Sequence, residues 1–203
     1  MGWFLITPHP FSSMMPRIGL IFLTALLVQC GNPEKTREAH QETIPAQLQE
    51  TDNFLGSNCM YHAARITDMG DRRPSSPGYR KQLDYLKREL SKHGWECVEQ
   101  AFEAPTPQGQ TQFVNLRARY GKNPDFKTPA NDGASAAAAI LETARILSRD
   151  PTRAGQLELV FFDGEESFSQ HIDSDDGLYG SKFYASSLPR PLPEWMVNLD
   201  MVG

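Results

Sequence analysis

The segment Leu157–Ser181, LELVFFDGEESFSQHIDSDDGLYGS, constrains the fold more than any other part of the chain. Leu157–Phe162 is a run of large apolar residues interrupted only by Glu158, the pattern of a buried strand. Asp163, Gly164, Glu165 and Glu166 follow at its end. Acids at the carboxyl end of a strand in an α/β sheet lie where such sheets bind ligands. Two adjacent glutamates point in different directions, so one can ligate a metal while its neighbour handles protons. A solvated acidic turn fits the same residues, and the segment alone leaves both readings open. Further acid sites stand upstream, within Pro129–Ser135, and downstream, at Asp200.

A chain of 203 residues suits one domain with a sizeable core. Its net charge of −5 and the lack of a basic stripe give no reason to expect nucleic acid as a partner. The cysteines, Cys30, Cys59 and Cys97, form no metal or redox motif. Cys59 and Cys97 fit either a disulfide in an exported protein or two free thiols.

Ile18–Val28 is an apolar run behind Arg17 and ahead of Cys30-Gly31. It is too short to span a bilayer and has the size of a signal-peptide core. A start at Met14 or Met15 would give it a brief positive leader. The ending LLVQCG resembles a bacterial lipoprotein signal, in which the cysteine becomes lipidated after cleavage, although Gln29 replaces the usual small residue. Residues 1–30 are therefore expected to be a signal peptide, of lipoprotein or simple secretory type. The protein is then exported to the periplasm or cell envelope, with a membrane surface as partner if Cys30 is lipidated. Residues 31–52 are polar, rich in Glu and Gln, and read as a tether. The folded domain is expected over 53–203.

Within it, Asp71–Pro77 is a loop by its prolines and serines. From Pro77, Tyr79, Leu83, Leu86 and Leu90 recur at spacings that make one apolar stripe on a helix, with Gly94 as its stop. His93, at the end of that charged helix, reads as a surface residue. Trp95–Phe102 and Gln112–Tyr120 alternate as half-buried strands, joined by a hairpin-like loop over Ala104–Gly109. Gly121–Pro129 is a polar loop. The helix Ala134–Ser148 buries Ile140, Leu141, Ala144 and Leu147, and Asp132 just before it fits an N-cap carboxylate. A helix over Gly177–Ser187, with Gly180-Ser181 close to the acids, and a strand over Met196–Leu199 complete the pattern.

Three segments in this order, ANDGASAAAAILETARIL, FFDGEE with the later DGLYGS, and VNLDMVG, resemble the glutaminyl cyclases, relatives of the zinc aminopeptidases, over about residues 78–203. The resemblance implies an α/β fold, with a mixed, mostly parallel sheet flanked by helices. It implies one Zn2+ held by Asp132 and Glu166, with Glu165 as general acid/base. Asp200 matches an aspartate that serves proton transfer in one-zinc relatives and metal binding in two-zinc relatives. Asp163 is assigned to holding the turn. The implied reaction converts the N-terminal glutamine of a peptide or protein to pyroglutamate with release of ammonia.

The chain departs from that pattern twice. Relatives carry a core strand ending in His-x-Asp before the NDG motif, and no His-x-Asp precedes Asn131 here. Their third zinc ligand is a histidine far downstream, matched by none of His9, His40, His62, His93 or His171. His171, in a polar acidic loop, reads as exposed. The expectation is thus a partial domain lacking one strand and the C-terminal part, with little activity on its own, because catalytic zinc usually holds three protein ligands. A zinc aminopeptidase and a non-catalytic lipoprotein that keeps part of the fold are the alternatives. The long spacer after Glu166 speaks against the first, and the retained acids speak against the second.

Overall fold

The computed structural model describes residues 44, 46–121, 128–131, 133–169 and 175–200. The chain divides into Met1–Gln41 and Glu42–Gly203, and the description concerns the second unit. Residues 1–30, assigned above to a signal peptide with its Cys30, lie outside the described residues, as do Asp132 and His171. Among the described residues no helix is long and apolar enough to cross a membrane.

Five helices and five strands make up the described unit. In chain order they are α1 (Gly56–Thr67), α2 (Pro77–Lys92), β1 (Trp95–Thr106), β2 (Gly109–Tyr120), β3 (Thr128–Asn131), α3 (Ala134–Leu147), α4 (Pro151–Ala154), β4 (Glu158–Phe161), α5 (Tyr179–Ser187) and β5 (Met196–Leu199). The strands form one sheet in the order β1-β2-β4-β3-β5. β2 pairs antiparallel with β1 and β4, while β3 pairs parallel with β4 and β5. The sheet is therefore mixed, with β2 alone running against the other strands.

Strand periodicity explains the layers. Val114, Leu116 and Ala118 of β2, with Leu159 and Phe161 of β4, join Trp95, the α2 stripe and the buried side of α3 in the main core. Phe113 points to the opposite face, where it stacks on Tyr179 of α5 with ring centroids 4.9 Å apart. The sheet is thus covered by α1–α3 on one face and by α5 on the other, the α/β layering expected from the sequence.

Local chemistry accounts for the element ends. Ser76 caps α2 by accepting a hydrogen bond from the Tyr79 N–H at 3.2 Å, with Pro77 at the first helical position, where a missing N–H costs nothing. Tyr79, Leu83, Leu86 and Leu90 are all buried, as their spacing predicts. β1 and β2 run further than the alternation suggested, leaving Pro107-Gln108 as the turn. Pro105 is tolerated inside β1 because β1 is an edge strand, and its missing N–H faces no partner.

Three features depart from the sequence reading. Residues 128–131, read in part as a polar loop, form the short strand β3 and fill the place between β4 and β5 where a central member was expected to be lacking. α1 was not foreseen as a helix. Glu158, seen only as an interruption of the apolar run, is fully buried. It accepts hydrogen bonds from Arg117 and Arg119 at 2.9 and 2.7 Å and from the Tyr184 hydroxyl at 2.5 Å. A buried carboxylate is tolerable when paired in this way.

On the other side of the molecule, Glu142 and Arg145 of α3 are buried and paired at 2.7 Å. Glu142 accepts from the Leu55 N–H and the Asn58 amide, and Arg145 donates to the carbonyls of Thr51 and Asn53. These bonds fasten residues 51–58 to α3. Cys59 and Cys97 are free thiols.

Candidate active site

Two of the acids predicted to carry the chemistry, Glu165 and Glu166, follow the buried strand β4. Asp163 anchors their turn. Its N–H donates to Asn115 Oδ1 at 3.0 Å, and its Oδ2 accepts from the Tyr79 hydroxyl and the Val114 N–H, each at 2.7 Å. Burial raises the Asp163 carboxyl above its ordinary range, against the lowering effect of these hydrogen bonds. Asn115, fully buried on β2, donates from Nδ2 to the Gly180 carbonyl at 2.9 Å and to Gln100 Oε1 at 3.1 Å.

α5 completes the clamp. The N–H groups of Leu178, Tyr179 and Gly180 donate to the carbonyls of Glu165, Gly164 and Asp163 at 2.9, 2.8 and 2.9 Å. Free N–H groups at a helix start need partners, and here the acidic turn supplies them. Gly164 has φ +63, and a Cβ there would lie 2.5 Å from the Phe113 ring. A side chain at Gly180 would collide with Asn115 Oδ1 and the Asp163 backbone. The close approach expected at Gly180-Ser181 is therefore present, and its reason is contact between the helix start and the turn.

Held in this way, Glu165 and Glu166 line a cleft of about 540 Å³. Tyr79 and Leu83 of α2, Val114 of β2 and Gly133 ahead of α3 line the same space. Glu165 is half-buried and Glu166 exposed. The Glu165 carboxyl is raised first by burial, then by the negative charges of Glu166 and Asp200. Asp200 follows β5 and is exposed, yet close enough for its charge to act on Glu165. The structure thus groups three of the predicted acids. The fourth, Asp132, is outside the described residues, although its neighbour Gly133 lines the cleft and occupies the N-cap position of α3. Among the described residues, no three His, Cys, Asp or Glu side chains converge into a metal site.

Asp176 was not singled out by the sequence. It is buried, and its carboxylate accepts from the Phe168 N–H, the Ser169 N–H, the Ser169 hydroxyl and the Tyr179 hydroxyl at 2.6–2.9 Å. Burial pushes its pKa up, but these hydrogen bonds outweigh it and hold the group at about 2. The chain just after Glu166 is thereby tied to the start of α5. The only trace of this in the sequence is an aspartate three residues before a tyrosine at a helix start.

Comparisons with known proteins agree with this arrangement. The profile of peptidase family M28 matches residues 98–203. The glutaminyl-peptide cyclotransferase of Boiga irregularis is 31% identical over 159 residues, covering 60% of this chain and 42% of its own. Among solved structures, a glutaminyl cyclase of Porphyromonas gingivalis superposes with a TM-score of 0.66 at 25% identity, over 74% of this chain and 60% of that one. A Zn-dependent exopeptidase of Parabacteroides distasonis gives a TM-score of 0.66 at 21% identity, over 79% and 64%. The chain spans about two fifths of the curated relative's length and about three fifths of these solved chains. The profile match covers more than half of the sequence, and with it this chain belongs to peptidase family M28.

Proposed function

We propose that the chain acts on the N-termini of peptides and proteins as a glutaminyl-peptide cyclotransferase. One observation carries the reading: Glu165 and Glu166 stand side by side on the cleft wall at the end of β4, within electrostatic reach of Asp200 after β5. The names of the matched cyclotransferase and glutaminyl cyclase support the choice of reaction.

The chemistry is intramolecular. The α-amine attacks the γ-carbonyl carbon of the N-terminal glutamine, the new C–N bond closes the ring, and the bond to the side-chain nitrogen breaks. Glu165 takes the proton lost by the α-amine and delivers it to the departing nitrogen, which leaves as ammonia. Burial, and then the like charges of Glu166 and Asp200, favour the protonated form of Glu165, which suits a group that must donate as well as accept. The clamp by Asn115 and α5 fixes the turn that bears it, and positioning is most of what a ring closure needs.

A divalent cation fits part of this site. Negative charge is gathered at Glu165, Glu166 and Asp200, and hard oxygen donors are present. Glu166 would hold a zinc together with Asp132, with Asp200 beside them. Bound zinc would polarise the γ-carbonyl. Among the described residues no group of three such donors converges, and Asp132 lies outside them.

The second reading, a zinc aminopeptidase, draws on the family match and the exopeptidase neighbour. The test offers the protein, with Zn2+, a peptide beginning with glutamine and one beginning with leucine, and follows products by mass spectrometry and ammonia release. The expected outcome is slow pyroglutamate formation with one ammonia per peptide, reduced at least about a hundredfold in Glu165→Gln. Release of free amino acid without ammonia would replace the reading by the aminopeptidase. No product, with no zinc uptake, would leave the non-catalytic lipoprotein.

A further inference from the structure

The cleft that bears Glu165 and Glu166 also has Arg72 on its wall. Arg72 comes from the loop between α1 and α2, a segment untouched by any of the recognised motifs. Its neighbour Arg73 is occupied, since its Nε and Nη2 donate to Asp71 Oδ2 at 2.9 and 2.6 Å. Arg117, Arg119 and Arg145 are likewise committed to buried carboxylates. Arg72 is exposed and makes no ion pair or hydrogen bond with any described residue. One concave surface thus presents two glutamates, an apolar wall that includes Leu83, Val114 and Phe162, and an uncommitted guanidinium.

We propose that Arg72 is a specificity residue that selects peptides carrying a carboxylate a few residues from their free N-terminus. The proposal rests on the reading of this cleft as a site for peptide N-termini. Such a peptide carries a cationic α-amine, which the paired glutamates attract, and hydrocarbon, which the apolar wall covers. A neutral remainder leaves Arg72 in water. A carboxylate instead forms a charge-assisted pair with a planar guanidinium suited to bind both of its oxygens. A volume of about 540 Å³ suits a ligand of a few residues. The carboxylate has two sources, the C-terminus of a short peptide or an Asp or Glu side chain in a longer one.

Calorimetric titration of the whole protein tests this with four peptides: Gln-Phe-Ala-amide, Gln-Phe-Ala free acid, Gln-Phe-Asp-amide, and the N-acetylated form of the first. Wild type is expected to bind a carboxylate peptide about threefold to fivefold more tightly than the neutral amide, the range of an exposed ion pair, with the difference shrinking in high salt. Preference for the free acid alone identifies the C-terminus as the source. Preference for the Asp peptide identifies the side chain. In Arg72→Ala the difference disappears while affinity for the neutral amide is kept, which also shows that the variant is folded. Arg72→Lys retains part of it. Equal binding of all free-amine peptides, survival of the difference in Arg72→Ala, or no measurable peptide binding would overturn the proposal. N-acetylation separates the underlying reading: if the acetylated peptide binds as well as its free-amine counterpart, the cleft is not an N-terminus site, whatever Arg72 does.

Discussion

Asn115 uses both ends of its carboxamide to join the Asp163 N–H to the Gly180 carbonyl. Asn115→Ala removes the acceptor of the Asp163 N–H and empties a fully buried position between β2 and α5, and the expected cost is about 2–3 kcal/mol, read from urea unfolding. The side chain escaped the sequence reading because an asparagine in an alternating strand looks solvent-facing. Only α5, packed over that face, makes it internal. The acidic turn after β4 and the aspartate after β5 stood out in the sequence, whereas the hydrogen bonds that hold residues 163–165 did not. His62 is a second residue whose role depends on packing. Buried, with Nδ1 2.6 Å from the Tyr85 hydroxyl, it has its pKa lowered to about 4, chiefly by burial, with Glu89 and Glu142 opposing the shift. Between pH 6.5 and 4 the unfolded chain binds a proton at His62 that the folded chain refuses. Stability should therefore fall as pH drops through that window, by up to about 3 kcal/mol from this group. Urea midpoints at both ends of the window in wild type and His62→Gln check this, and the variant should show the weaker dependence.

Among the elements, α5 is the one on which the candidate site depends most, because its first N–H groups hold the carbonyls of residues 163–165. Asp176 extends this hold to Phe168 and Ser169. Its folded pKa of about 2 lies below the ordinary 3.8, so its contribution is complete above pH 4 and is lost as pH falls towards 2. Amide hydrogen exchange should show several-fold weaker protection at Phe168 and Ser169 in Asp176→Asn at neutral pH. Unchanged protection would mean that the turn is held by other contacts. The amphipathic α2 and α3 and the apolar β4 were legible because their own patterns fix them. β3 was not, because Thr-Pro-Ala-Asn has little strand character of its own and becomes a strand only by pairing between β4 and β5. α1 was equally hidden: it begins Gly-Ser-Asn-Cys, and its fixing partner is α3 rather than any signal of its own.

At the scale of the whole molecule, the parallel strands β4 and β5 both end at acids, and β3 between them leads to the NDG segment. Ligands of open α/β sheets bind beyond such strand ends, so topology gathers acids from distant parts of the sequence. The order of motifs made this layering readable, while the sheet's crossover through β3 came only from pairing. β5 lies at the sheet edge with Trp195, Met196 and Val197 exposed, in a chain that spans about two fifths of its curated relative. We propose that the acids following β4 and β5 form a metal-assisted proton-transfer site. The most direct test is an equilibrium zinc titration of the whole protein in wild type, Glu166→Gln and, as a surface control on β1, Glu96→Gln. The expected result is saturable uptake of one zinc per chain, weakened at least about tenfold by Glu166→Gln and unchanged by Glu96→Gln. Zinc uptake that is absent, or indifferent to Glu166, would contradict it.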